Sequence, residues 1–338
     1  MRQDSASATT VPYQVLEVEI LNGEKKGTRL KLETSQAQNT DLTYQVGNKV
    51  QLSTSINPDG TSTTTIADFV RTDALINLSV LFVLLVIVVS RWRGLFSLIA
   101  MVLSFVVIFT ITLPLIMQGW HPVLVSAMTA TLIIPVSFYF SHGINRKTHL
   151  AIIGTVVSLI ITSFLAWFFI AQAKLTGFAS EEAGFLNVEK QGMINIRNLI
   201  LAGVIVGSLG ILDDVTVSQA SVVEQLKHSN PKFGFSELFS RAMKVGQDHI
   251  SSMVNTLVLV YAGASLPLLL LFINNPRPIS EIMNYEIVAE EIIKTLVGSI
   301  GLTFAAPVTT ALAAFVFRVG HTKTNSNQQS ANEHTHTH

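Results

Sequence analysis

Two adjacent carboxylates, Asp213 and Asp214, interrupt one of the most apolar stretches of the chain, in the segment GILDDVTVSQASVVEQL (210–226). Only fifteen uncharged residues separate Arg197 from Asp213, too few to cross a ~30 Å hydrocarbon core comfortably. A helix that crosses here must therefore take in both aspartates or break near Gly207–Gly210. Gly203, Gly207, Gly210, Asp214, Ser218, Ser221 and Gln225 recur at steps of three and four, so they share one helical face. The glycines of that stripe suit close helix packing. Its polar half would be costly against lipid, and intramembrane carboxylates mark ion or substrate routes. The alternative is a helix that leaves the membrane and begins an acidic, solvated stretch. Asp213 points about 100° away from Asp214 on an ideal helix and reads as a neighbour rather than a partner.

A second polar stripe follows. Asp248, Ser252 and Asn255 lie at i, i+4 and i+7. If the two helices pack together, Asp214 and Asp248 converge with hydroxyls and an amide, an oxygen-rich set suited to a proton or hard cation. A lone Asp at a helix entrance is also a common cap. Gly298, Gly301, Pro307, Thr309 and Thr310 suit a last helix whose backbone opens mid-membrane. Glu286, Glu290 and Glu291 precede that helix, where helix-dipole preference explains them as well as an acidic vestibule does. The sequence offers no phosphate loop, HExxH or GxSxG pattern, so no enzymatic activity, cofactor or metal site is read from it.

The elements that position these residues follow from composition. Charged residues make up 13% of the 338, about half the usual share for a soluble chain, and mean hydropathy is +0.48. The formal net charge is zero and cysteine is absent, which excludes disulfides and thiolate sites. Residues 73–318 hold seven expected spans, near 74–90, 95–117, 121–140, 150–172, 197–220, 250–273 and 292–317. Residues 1–12 and 319–338 are polar and read as disordered ends.

Residues 13–72 form a head. TyrQVLEVEIL (13–21), GlyTRLKLET (27–34), AsnKVQLSTS (48–55) and ThrSTTTIADF (61–69) carry strand signals between Asn-Gly, Val-Gly-Asn and Asn-Pro-Asp-Gly turns. A small all-β head of OB-like or SH3-like type is expected. It lacks an aromatic and basic strand face, so nucleic acid is not an expected partner.

Loop charges set the orientation. Arg91 and Arg93, Arg146 and Lys147, Lys227 to Lys244, and Arg318 with Lys323 occupy alternate loops. The loops between them are acidic or uncharged, carrying Glu181, Glu182 and Glu189, then Glu281, Glu286, Glu290 and Glu291. By the positive-inside rule the basic set and the C-terminus are cytoplasmic and the β head lies outside. Trp92 and Trp120 fall at span ends, as interfacial anchors do. Export of the head calls for a hydrophobic segment ahead of it, which points to one preceding Met1.

Three stretches carry a family resemblance: Asp214-VTVSQAS with the glycines before it, Gly246-QDHISSMVNTLVLVYAGASLPLLLL, and Asn284-YEIVAEEIIKTLVGSIGLTFAAPVTT. Together with Arg71, the Arg91-WRG turn and Leu175-TGF, they resemble the YibE/F-like family of bacterial multipass membrane proteins over most of residues 13–317. The resemblance implies a bacterial cytoplasmic-membrane location, a hydrophobic segment before the head, and Asp214 as the more typical acid of the pair. Two functions are expected from the whole. One is a transporter or permease using a carboxylate cluster between the fifth and sixth spans for a proton, cation or small solute. The other is a non-transporting scaffold or sensor whose head binds an envelope partner, with a homo- or hetero-oligomer as its setting.

Overall fold

The computed structural model describes residues 2–3, 10–11, 13–23, 25–35, 43–56, 60–273 and 276–318. The chain divides into two compact units, Met1–Val88 and Val89–His338.

Among its described residues, the first unit holds three antiparallel strand pairs, of which the two longer hairpins follow from alternation of apolar and polar residues. β1 (Arg2–Gln3) pairs with β2 (Thr10–Val11) inside the segment read as disordered; the rest of residues 1–12 and the tail 319–338 lie outside the described residues. β3 (Tyr13–Glu19) pairs with β4 (Arg29–Ser35), and β5 (Val50–Ile56) with β6 (Ser62–Phe69). The register sets Leu16 opposite Leu32, Val18 opposite Leu30 and Leu52 opposite Ile66, one apolar face per hairpin. Tyr44 stacks on Phe69 at 4.8 Å, and its N–H donates to Gln14 Oε1 at 3.1 Å, which ties the two hairpins together. The expected closed barrel is not formed among the described residues, where each sheet has two strands. Each hairpin is apolar on one side only; Ser53, Thr54, Ser55, Thr63 and Thr65 leave the β5–β6 pair largely polar and exposed. Arg71 donates to Asp68 at 2.7 Å. That bond, with the Phe69 N–H, holds the Asp68 carboxyl below its ordinary range.

Helix α1 (Thr72–Val107) starts three residues after β6, and Lys49 pairs with its first-turn Asp73 at 2.8 Å. It continues through a π-helical turn (Ile108–Thr112) into α2 (Leu113–Met117). The whole run is 46 residues, about twice the ~20 residues that cross a bilayer core. Its backbone leaves helical geometry at Arg91 (φ 54°, ψ −135°), between the expected first and second spans. The remaining elements are α3 (Pro122–His142), α4 (Arg146–Gln172), α5 (Glu181–Glu189), α6 (Ile196–Ser229), α7 (Phe235–Ala264), α8 (Leu266–Ile273), α9 (Ile279–Ile282) and α10 (Glu286–Arg318). Among the described residues, five helical runs are long and apolar enough to cross a membrane, or six if α7 and α8, bent by 67°, make one span. Seven were expected; the count falls because one run carries the first two. α10 stays helical through Pro307, so its backbone does not open there.

The core of the second unit is α4, α6 and α10. Two glycines seat threonines of the facing helix: a Cβ on Gly154 would overlap Thr309 Oγ1, and one on Gly301 would overlap Thr162 Oγ1. Fully buried hydroxyls complete the contact, with Thr155 and Thr216 Oγ1 atoms 2.7 Å apart and Thr310 donating to Gln219 Oε1 at 2.9 Å. Gly246 of α7 lies against the same glutamine amide.

Two of the quoted motifs meet at the other end of α10. The Glu286 carboxylate accepts from Thr176 N at 2.6 Å, Gly177 N at 2.7 Å and Thr176 Oγ1 at 2.8 Å, pinning the α4–α5 loop to the start of α10. Bonds to a charged acceptor are the stronger kind, though exposure weakens these. Glu286→Ala is expected to destabilise by about 1 kcal/mol, while Glu286→Gln, which keeps an acceptor oxygen, loses less. Thermal unfolding in detergent measures both; an unchanged midpoint for the alanine variant would show the clamp to be idle.

Candidate functional site

α6 is continuous from its Asn195 cap, whose side chain accepts from Asn198 N, to Ser229. It passes through Gly207–Gly210 without a break and carries Asp213 and Asp214 on an apolar helix. Its packed face is Leu201, Val204, Ile205, Ser208, Leu212, Val215, Thr216 and Gln219, all buried against the core. The aspartates lie on the flank, where a cavity of about 530 Å³ opens between the second half of α1, α3 and α6.

Gly210, Asp213, Asp214 and Ser218 line it from α6, Ser137, Ser141 and His142 from α3, and Ser97 and Ser104 from α1. Ser137 Oγ donates to Asp213 Oδ2 at 3.4 Å. The imidazoles of His142 and His249 both lie within electrostatic reach of the Asp214 carboxylate, as does the Asp213 carboxylate itself. The rest of the wall is apolar, including Met101, Phe105, Ile133, Phe138 and Val217. The cavity thus joins two carboxylates, Asp213 half-buried and Asp214 exposed, with several hydroxyls and an imidazole in an otherwise apolar, open cleft, chemistry that suits a proton or an oxygen-liganded cation. Among the described residues no group of three or more His, Asp or Glu is placed to hold a metal ion.

The structure sorts the sequence candidates. Asp213, Asp214, Ser218 and Gly210 come together at the cavity, so Asp213 is a co-lining group rather than a bystander. Ser221 is half-buried and Gln225 exposed farther along α6, and neither lines it. Asp248 and Asn255, with Ser252, are exposed on α7 and do not line it either. α7 instead turns Ile250, Met253, Val254 and Leu257 towards the core. The cavity that Asp213 and Asp214 line thus lies among α1, α3 and α6, and α7 contributes no residue to its lining.

Gly203, Gly207 and Gly210, expected to pack helices, meet no other helix among the described residues of this chain. A Cβ on any of the three would find no atom within 4 Å, because that stripe is the exposed side of α6. The structure adds Ser137 and His142 to the cavity wall and His249 to the surroundings of Asp214, none of them among the expected site residues. Their signal was weak: a His next to Asp248, and a Ser-x3-Ser-His run closing α3.

No curated protein and no solved structure matches the chain. The model of the YibE/F family N-terminal domain matches residues 2–69. That of the YibE/F-like protein matches residues 78–319, which include every helix lining the cavity. With that match spanning most of its length, this multipass membrane protein belongs to the YibE/F-like family.

Proposed function

We propose that this protein is a transporter or permease, and that the cavity carries a proton or small cation, alone or coupled to a solute. The observation behind the reading is the pair of α6 carboxylates opening on one cavity with Ser137 and Ser218 among apolar walls. A carboxylate kept in such surroundings is expensive unless it meets a proton, a cation or a hydrogen-bond donor, and such groups in spans serve transport. The alternating loop charges support seven crossings with the β head outside, the C-terminus inside, and the site nearer the cytoplasmic face of a bacterial membrane. The role is carriage rather than catalysis.

The test is flux in proteoliposomes bearing the full chain, read with an internal pH dye and with cation gradients. Asp213→Asn and Asp214→Asn together should reduce flux to that of protein-free vesicles. Asp248→Asn should transport like the parent, because that side chain lies off the cavity. If the double variant moves protons and cations as well as the parent, or the parent moves neither, the reading is wrong. The scaffold reading draws on different observations, the exposed polar stripe Asp248, Ser252 and Asn255 of α7 and the open face of α6 at Gly203 and Gly207. A partner helix covering that surface would make Asp248→Asn the harmful change instead.

A further inference from the structure

A second cavity, of about 570 Å³, shares Ser141 and His142 with the first and has the opposite character. Arg93 of α1 and Lys147 of α4 line it together with His142 of α3, so three elements deliver cationic or protonatable groups to one concavity. No carboxylate lines it. Arg93 has no hydrogen bond or ion pair among the described residues. Lys147 has only a loose pair, its Nζ 3.7 Å from Glu224 Oε2. Lys147 and Arg93 both act on His142 electrostatically, with Asp214 of the first cavity acting on it in the opposite sense. Phe96 and Tyr139 supply an apolar and aromatic wall. The volume falls in the range of ligand pockets, which are mostly apolar with a few directed polar groups.

We infer that Arg93, His142 and Lys147 form a binding site for a phosphate-type anion, carried on a lipid headgroup or as a free solute. The guanidinium offers paired donors that match phosphate oxygens, and Lys147 adds a point charge. Basic pockets between membrane helices hold anionic headgroups in this way. The site stands apart from the transport reading, since it needs neither aspartate.

Trp92, adjacent to Arg93 and largely exposed, provides the probe. A full-length variant keeping only that tryptophan (Trp120→Phe, Trp167→Phe) is placed in nanodiscs containing brominated phosphatidylglycerol or brominated phosphatidylcholine. If the anion comes on a lipid, quenching favours the anionic lipid by about fivefold for each cation, and Arg93→Gln with Lys147→Gln abolishes the preference. If it comes as a solute, there is no lipid preference, but inorganic phosphate raises the thermal midpoint in detergent relative to chloride at equal ionic strength, in the parent and not in the double variant. An effect of either kind that survives in the double variant, or no effect in either arm, overturns the assignment.

Discussion

Gly301→Ala is expected to destabilise the protein by about 1–3 kcal/mol, and Gly301→Val by more. A Cβ there would overlap Thr162 Oγ1 and stand 3.1 Å from both Thr162 Cβ and Cγ2. Thr162 has little freedom to yield: it is fully buried, β-branched, and its hydroxyl donates to Ser158 O at 2.8 Å. Gly154→Ala faces the same obstacle in Thr309, whose Cβ would lie 3.0 Å away. Cutting back the partner should restore much of the loss, so Gly301→Ala with Thr162→Ala should be more stable than Gly301→Ala alone. Gly203→Ala, with nothing nearby, should be neutral or gain up to about 1 kcal/mol from helix propensity. Thermal midpoints in detergent decide the matter. If Gly203→Ala proves as harmful as Gly301→Ala, the burden lies in glycine itself and not in the contact.

Gly177→Ala carries the second large effect, because two penalties fall on one residue. Its φ of +89° disfavours any L side chain by about 1–2 kcal/mol. A Cβ would also meet Ile196 O at 2.9 Å and Ile196 Cγ2 at 2.8 Å, and a backbone oxygen cannot swing aside. Relief by shifting the loop would pull the Gly177 N–H off Glu286 and weaken the clamp at the start of α10. The combined loss should reach about 2–4 kcal/mol. Gly119→Ala is the matched control, with φ of +88° and nothing within 4 Å, so it should show the strain alone. Equal midpoints for the two variants would show that the Ile196 contact contributes nothing.

How far the sequence reached is clearest on α6 and α7. Element positions were legible because period-two strands and long apolar runs are local signals: the four main strands fall within a few residues of the expected stretches, and the break at Arg91 falls where two spans were divided. Span length left either an unbroken helix through Asp213 and Asp214 or a break near Gly207–Gly210, and the three- and four-residue spacing favoured the unbroken helix that α6 forms. The face that packs was not legible. Spaced glycines suggested a seam at Gly203–Gly210, yet the close contacts are made by Gly154, Gly301 and Gly246, each opposite a Thr or Gln on another helix. That pairing is a matter of tertiary register, which one helix's own spacing does not encode. α7 misled for a similar reason. Its polar stripe was assigned to the interior, whereas the helix buried its apolar face, including Met253 and Leu257, as amphipathic helices do. The barrel was over-read from strand count, since pairing partners cannot be inferred from alternation alone.

The two glycine–threonine contacts between α4 and α10 have a geometric corollary. The interval from Gly154 to Thr162 equals that from Gly301 to Thr309, and each end of one helix meets the opposite end of the other's interval. The contact therefore maps onto itself by a half-turn about an axis near Ser158 and Ala305, both fully buried. Sliding either helix along its length would unseat both threonines at once, and rocking one helix about that axis would open one contact while driving the other together. α4 and α10 therefore behave as an indexed joint, fixed in register by two threonines rather than one.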